Sequence, residues 1–317
     1  MAVSPAAGPG VSGLKGIIER PDPPGPSLSR SLGLLLSHLV VALVALVAIG
    51  GATRVMEAGL ACPDWPLCYG VLLPGRQMNL QVFLEWFHRL DAFVVGVALL
   101  VLASVGVWKR RILPAWFPAA ALFALFLVAA QGALGALTVT QLLAAPMVTA
   151  HLATALLLVA LLSGTQQALV PRDRTTHPLP LWWRFLGVLA MVGVFAQALL
   201  GGAMASQWAA DRCLAIGEGC RWLALHRSIA TPLALLVCCL APASLALPTG
   251  YRLVRGLALS AIPLVALQIA LGVAALRSEL SMPLITVGHQ IGAALLIALL
   301  ASLSTAFIQT SPEQIHG

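Results

Sequence analysis

Charge is what this sequence has least of. Of its 317 residues only 9% are Asp, Glu, Lys or Arg, against 60% hydrophobic, and the mean hydropathy is +0.95. Soluble domains carry about 25% charged and about 45–50% apolar residues, so no aqueous core could absorb this excess of apolar surface. The shortage excludes an ordinary cytosolic enzyme, a secreted disulfide scaffold and a disordered chain, and leaves a polytopic membrane protein. Period-two alternation is also missing from the apolar stretches, which run for about twenty residues or more. A transmembrane β-barrel, whose strands are alternating segments of about ten residues, is therefore excluded. Missing too is a basic face. The net charge is +7 and the isoelectric point near 9.6, but the Lys and Arg residues are scattered between apolar runs. That is how membrane topology is written, and no nucleic-acid partner is expected.

What is present is a series of spanning-length runs. They predict an all-α protein with eight transmembrane helices at about 32–52, 81–108, 114–139, 145–168, 181–206, 222–247, 251–276 and 282–308. Residues 1–30 are rich in Pro, Gly and Ser and are read as a disordered cytoplasmic tail, too polar and Pro-broken for a signal peptide. An even number of spans puts both termini on one side. Lys15, Arg20, Arg30, Lys109, Arg110, Arg111, Arg172, Arg174, Arg184, Arg252 and Arg255 mark that side as cytoplasmic. The opposite loops carry fewer basic residues and five of the eleven carboxylates, Glu57, Asp64, Asp211, Glu218 and Glu279. The expected location is the cell inner (plasma) membrane.

Cysteine usage agrees with that orientation. Cys62 and Cys68 fall in the first outer loop and Cys213 and Cys220 in the third, while Cys238 and Cys239 lie within a span. Each loop pair can close a small disulfide ring on the oxidising side. A zinc site built from the four thiolates is the alternative, disfavoured because CPDWPLC and CLAIGEGC lack CxxC spacing.

The chain repeats itself. Gln131-Gly-Ala-Leu-Gly and the Pro146-to-His151 segment return as Gln268-Ile-Ala-Leu-Gly and the segment from Pro283 to His289. His88-Arg89 returns as His226-Arg227, and both histidine pairs are separated by 138 positions. Gly50-Gly51 matches Gly201-Gly202 at a larger offset because the first outer loop is longer. A unit with an even number of spans repeats in the same orientation, predicting two pseudo-symmetric four-helix bundles side by side. The bundles are expected at 31–170 and at 171–240 joined with 241–310, followed by a short tail, 311–317.

Four of the seven histidines, His88, His151, His226 and His289, fall in the first turns of helices 2, 4, 6 and 8 counted from the outer face. His38, His177 and His316 lie near an inner helix end, in a cytoplasmic loop and at the C-terminus. An intramembrane imidazole is costly unless partnered, and a lone one is explained by a hydrogen bond to a neighbouring helix. Four at matched depth, in two repeat-related pairs, suit bis-histidine ligation of a haem inside each bundle. Zinc or copper would need further donors, and the scattered Met residues supply none. Arg89 and Arg227 suit a haem propionate, or equally an interfacial Arg reaching to water. The glycines near these sites let backbones approach a macrocycle or, more simply, one another.

The halves differ at Glu85, one helical turn before His88 in EWFHR, where the second copy has Leu223 in LALHR. A buried carboxylate is expensive without a partner or a task. Its candidate roles are a salt bridge with Arg89 or another outer Arg, or proton transfer and substrate positioning in a reactive N-terminal half fed with electrons by a permanent haem in the C-terminal half.

Together, GGATRVMEAGLACPDWPLCYG, EWFHR, TAHLATALLL, the second LHR and GHQIGAALL resemble the haem A synthase family, membrane enzymes of cytochrome oxidase cofactor synthesis. The match runs over helices 1 to 8, with a departure at Arg54–Gly59, where similar members often carry a Thr/Ser-rich stretch. The resemblance implies oxidation of a methyl group of haem O to a formyl group by successive hydroxylations, giving haem A. It implies that His88 and His151 flank the substrate haem with Glu85 needed for catalysis, that His226 and His289 hold a b-type haem, and that Cys62–Cys68 and Cys213–Cys220 are outer-loop disulfides. Haem O delivered by haem O synthase, a separate electron donor, membrane lipid and a second copy of the chain are the partners this reading admits. A dihaem b-type cytochrome serving only electron transfer is the competing function. A repeat-built transporter is weaker, for want of paired broken helices or an intramembrane acidic pair.

The topology makes a direct prediction. Of the six cysteines, only Cys238 and Cys239 should alkylate in the oxidised, detergent-denatured protein, with four more after reduction. Labelling of Cys62, Cys68, Cys213 and Cys220 without reductant would contradict the outer placement of those loops.

Overall fold

The computed structural model describes residues 26–169, 179–205, 221–248 and 250–306. Among these residues the chain forms eight helices: α1 (Pro26–Val55), α2 (Leu80–Trp108), α3 (Phe117–Thr140), α4 (Ala145–Leu169), α5 (Leu181–Met204), α6 (Arg221–Leu245), α7 (Arg252–Arg277) and α8 (Pro283–Thr305). All eight are long and apolar enough to cross a membrane. The boundaries follow the apolar runs closely, with one correction at the start. Residues 26–30, expected in the disordered tail, belong to α1. A proline in the first turn lacks only an N–H that has no helical partner, so Pro26 starts the helix without a lost bond. Residues 1–25, the loop with Arg172 and Arg174, Cys213 and Cys220, and the C-terminal tail lie outside the described residues.

Local chemistry sets several ends. Asn79 caps α2, its side chain accepting from the Val82 N–H at 2.9 Å. The α3–α4 and α7–α8 turns share a backbone device: two successive left-handed residues, Leu142 and Leu143 in one, Glu279 and Leu280 in the other. In each turn the second of these donates back across the last helical turn, Leu143 to Thr138 O at 2.8 Å and Leu280 to Ala275 O at 2.9 Å. Lys109 closes α2, its ammonium 4.4 Å from the centroid of Trp108, an aromatic–cation pair of the kind found where helices leave a bilayer.

Burial is inverted relative to a soluble protein. Phe93, Phe126, Leu181, Phe185, Leu235 and Leu284 are among many large apolar side chains that face outward, as a lipid surface requires. Two apolar cores lie inside. One is built mainly from α1 to α4 around Leu36, Leu99, Phe117, Leu158 and Leu162. The other is built mainly from α5 to α8 around Trp183, Ala190, Leu240, Ala258 and Leu300, with Val47 and Leu156 contributed from α1 and α4. The bodies meet through α1, α4, α5 and α8: α4 packs on α8 and α5, and α1 packs on α8.

Small residues permit these approaches, as expected where association rests on close packing rather than on the hydrophobic effect. A Cβ at Gly187 of α5 would lie 3.3 Å from Ser304 Oγ and 3.8 Å from Ser304 Cα on α8. Gly187→Leu should therefore force the helices apart and destabilise the protein by about 1–3 kcal/mol, lowering the thermal midpoint in detergent. Gly96→Leu, at a position with open space around it, should leave the midpoint nearly unchanged.

Candidate functional site

The four singled-out histidines occupy equivalent places in four helix pairs. His88 lies eight residues beyond the start of α2, and His151, His226 and His289 lie six, five and six beyond the starts of α4, α6 and α8. At about 1.5 Å per residue this places them roughly 8–12 Å along their helices, at similar depth from the ends nearest the first outer loop. Each imidazole sits over a glycine of the preceding helix. A Cβ there would lie 3.3 Å from His88 Cε1 at Gly50, 3.6 Å from His151 Cε1 at Gly135, 3.0 Å from His226 Cε1 at Gly201 and 2.9 Å from His289 Cε1 at Gly272. The glycines that a repeat argument explains by helix packing alone thus also make room for the rings.

Within each half the two imidazoles are close enough to interact electrostatically, His88 with His151 and His226 with His289. The Nδ1 atoms of His88, His151 and His226 are buried without a hydrogen-bond partner. Among the described residues no group of three or more His, Cys, Asp or Glu side chains gathers to hold a bare metal ion. Two imidazoles per half is a donor set for an iron that brings its own equatorial ligands, and too few for zinc.

Three glutamines, whose role the sequence did not disclose, reach these histidines. Gln131, Gln197 and Gln268 each lie one turn before the cradle glycine and donate their side-chain amides to the main-chain carbonyls of His151, His226 and His289, at 2.9, 2.7 and 3.0 Å. Their common signal is Gln-x-x-x-Gly on α3, α5 and α7; at the corresponding place before Gly50, α1 has Leu46.

The N-terminal end of α2 is built differently. Glu85 is buried and both its oxygens are engaged: Oε1 accepts from Arg89 Nη2 at 2.5 Å and Oε2 from the Cys62 main-chain N–H at 2.8 Å. Arg89 in turn donates through Nη1 to the carbonyls of Asp64 at 2.6 Å and Leu67 at 2.5 Å, and through Nη2 to that of Cys62 at 3.2 Å. Four of the five guanidinium N–H groups are thereby spent on the first loop and Glu85, so these donors do not face a haem propionate. The salt bridge weighed for Glu85 is present. Arg227 on α6 is exposed.

The loop that Arg89 grips is closed by a disulfide between Cys62 and Cys68, with Cα atoms 4.7 Å apart; both cysteines are buried. Trp86 Nε1 donates to Leu72 O at 2.6 Å, tying the far side of the loop to the same helix. Inside the ring Asp64 organises the turn, its carboxylate accepting from Tyr69 N at 2.6 Å and Gly70 N at 2.7 Å. Gly70 holds a left-handed φ of 72°, a conformation glycine adopts without strain.

The fold and the paired imidazoles define a multi-pass helical membrane protein with a two-histidine site in each half. Comparison with known proteins makes this specific. Residues 33–301 match the model of the cytochrome oxidase assembly protein family, COX15-CtaA, and the chain belongs to that family. It is 30% identical to a heme A synthase of Shewanella oneidensis over 85% of this chain and 94% of the relative, and 31% identical to a heme A synthase of Sphingopyxis alaskensis over 86% and 90%. A shorter match, 34% identical over 36% of this chain and 23% of the relative, is to a protoheme IX farnesyltransferase of Haloarcula marismortui.

The Asp64 turn carries a pH signature. The Gly70 N–H first, then the Tyr69 N–H and the Arg89 charge, hold the Asp64 carboxyl below its ordinary value of 3.8. A folded-state value below the unfolded one means that the turn is stabilised above about pH 4 and loses this support as pH falls through the depressed pKa. Protection of the Tyr69 and Gly70 amides from exchange should drop in that window, and Asp64→Asn should lower it at neutral pH and remove the pH step.

Proposed function

We propose that the chain is a haem A synthase, an oxidoreductase that converts a methyl substituent of haem O to the formyl group of haem A through successive hydroxylations with loss of water. The observation that carries this is the pairing of imidazoles over cradle glycines in both halves, with a carboxylate one turn from a histidine in only one. Relatives spanning nearly the whole chain are named for this activity. The farnesyltransferase likeness supports a farnesylated haem as the substrate and haem O synthase as its source.

In this reading His88 and His151 flank the substrate haem O, and His226 and His289 hold a b-type haem. The unpartnered Nδ1 atoms, the space kept by glycine and the two-donor sets all fit such a group. A bis-imidazole b haem, when bound, supplies single-electron transfer. The protein's own groups do the rest. The helix-borne histidines orient the macrocycle, the apolar walls exclude water, and Arg227 is placed to meet a propionate. Glu85 keeps the disulfide loop and Arg89 seated at the outer end of α2, and is a buried carboxylate three residues from His88 that can hold or pass a proton. The N-terminal body would then be the reactive one, in an inner membrane with residues 56–79 on the outer side, both termini cytoplasmic, and an outside donor supplying electrons. The same architecture used twice supports a pseudo-twofold axis along the membrane normal. A cytochrome that only carries electrons is not favoured, because it does not match the names of the long relatives.

The test is compositional and catalytic together. His226→Ala or His289→Ala should abolish the retained b-type haem in pyridine haemochrome spectra. Glu85→Ala should keep that haem yet lose haem A formation by at least about 100-fold, the low end of a general acid–base contribution. Unchanged haem content in both histidine variants would remove the cofactor assignment, and normal conversion of haem O by Glu85→Ala would remove the catalytic one.

A further inference from the structure

The four imidazole–glycine crossings are alike in geometry but unequal in how the histidine-bearing helix is held. At three of them a glutamine on the preceding helix donates to the main-chain carbonyl of the histidine itself: Gln131 to His151, Gln197 to His226 and Gln268 to His289. A helical carbonyl already accepts from the N–H four residues on, and its second lone pair takes the glutamine amide. Because no water is available at this depth, the amide has every reason to keep that bond, and the bond sets both the height and the rotation of the histidine's turn.

His289 is held a second time. Its Nδ1 lies 3.1 Å from the main-chain carbonyl oxygen of Gln268, a contact that requires the proton on Nδ1, and the lone-pair nitrogen Nε2 then lies 3.5 Å from the Gln268 side-chain amide. Among the described residues His88 has no such glutamine. Leu46 stands one turn before Gly50, and α2 is instead gripped from its outer end, where Glu85 and Arg89 bind the Cys62–Cys68 loop.

We propose that Gln131, Gln197 and Gln268 are positioning residues that fix His151, His226 and His289 as iron ligands from within the membrane, and that His88, lacking a glutamine, is the one adjustable ligand, set by the outer loop. Three ligands are thus graded by their support: His289 is held twice, His151 and His226 once. Substrate exchange needs a ligand that can yield, whereas a permanent group needs two that do not. The distribution of glutamines matches that division. This inference rests on the reading that each histidine pair holds a haem.

The experiment uses the full chain, purified with its retained haem. Gln268→Met and Gln197→Met keep the side-chain length and remove the donor. Each should shift the low-spin electron paramagnetic resonance g-values and speed haem loss to apomyoglobin by about 10–100-fold, the range seen when an outer-shell partner of a metal ligand is removed. Gln131→Met should leave that signal unchanged, since it serves the other half. Gln268→Glu, protonated at this depth and able to donate again, should restore most of the wild-type signature and serves if the Met variant does not fold. Glutamines that merely hold helices together would lower the thermal midpoint without moving the g-values, which would overturn the proposal. So would wild-type g-values and release rates in both Met variants. A wild-type chain with no retained haem, or one whose haem survives His226→Ala and His289→Ala, would overturn the underlying reading, a result visible before any glutamine is changed.

Discussion

The bilayer's inability to solvate polar groups is the constraint from which the rest of this structure follows. In a membrane core every imidazole, amide or carboxylate atom that the protein leaves without a partner carries a cost. Three of the histidines lie at crossings where a Cβ in place of glycine would press on the ring, 3.3 Å from His88 Cε1, 3.0 Å from His226 Cε1 and 2.9 Å from His289 Cε1, while at Gly135 it would meet His151 at an ordinary 3.6 Å contact. The same close approach brings the glutamine amides within bonding distance of the next helix. At Gly201 and Gly272 cradle and clamp fall together, the missing Cβ leaving room for the ring one turn beyond the glutamine that bonds the same histidine.

The outer end of α2 answers the same constraint with charge. Taking a carboxylate and a guanidinium out of water is costly, and the cost is met only when both are fully hydrogen-bonded. Glu85 and Arg89 satisfy this by using the loop's own main chain as the remaining partners, three carbonyls and one N–H. Breaking such a pair by removing one member strands the other, at about 3–5 kcal/mol. The consequence is architectural. A short ring closed by a disulfide is fastened directly to the turn that carries His88, so the outer loop and the intramembrane site move as one piece. The other three histidine turns have no such connection among the described residues.

Much of the fold was legible in the sequence because spanning length and apolar composition are properties of single segments. Eight helices, their approximate limits and the pairing of Cys62 with Cys68 could be read from local pattern and spacing. The start of α1 could not, since proline signals either a break or a first turn, and only context separates them. The histidines were visible as candidates because the repeat placed them twice at the same interval. The roles of Gln131 and Gln268 were not visible, although both stood in the repeated motif, because a glutamine in a span reads as generic interhelical polarity until its acceptor is known. Gln197 was hidden further by lying in the part of the repeat whose offset is shifted by the longer first loop. Glu85 showed the opposite ambiguity: residue type and spacing admitted both an ion pair and proton chemistry. Geometry supplies the ion pair and keeps the carboxylate one turn from His88.

Contacts between the two bodies carry the comparison one step further. Beside each cradle glycine on α1 and α5 lies a second glycine that faces across to the other body. A Cβ on Gly51 would come within 1.8 Å of Gln290 Oε1 on α8, and one on Gly202 within 2.4 Å of Leu152 Cδ2 on α4. Gln290 and Leu152 directly follow His289 and His151 in sequence. Each site is therefore joined to the other through two neighbouring residues on each side, His289–Gln290 against Gly51–Gly50 beneath His88, and His151–Leu152 against Gly202–Gly201 beneath His226. Such adjacency is not in itself coupling, which requires an element with two arrangements. What it does establish is that the contacts between the two bodies lie one residue away from the histidine crossings on α1, α4, α5 and α8. Three of the four histidine turns in this shared framework accept a glutamine amide, whereas α2 is tied through Glu85 and Arg89 to the disulfide loop.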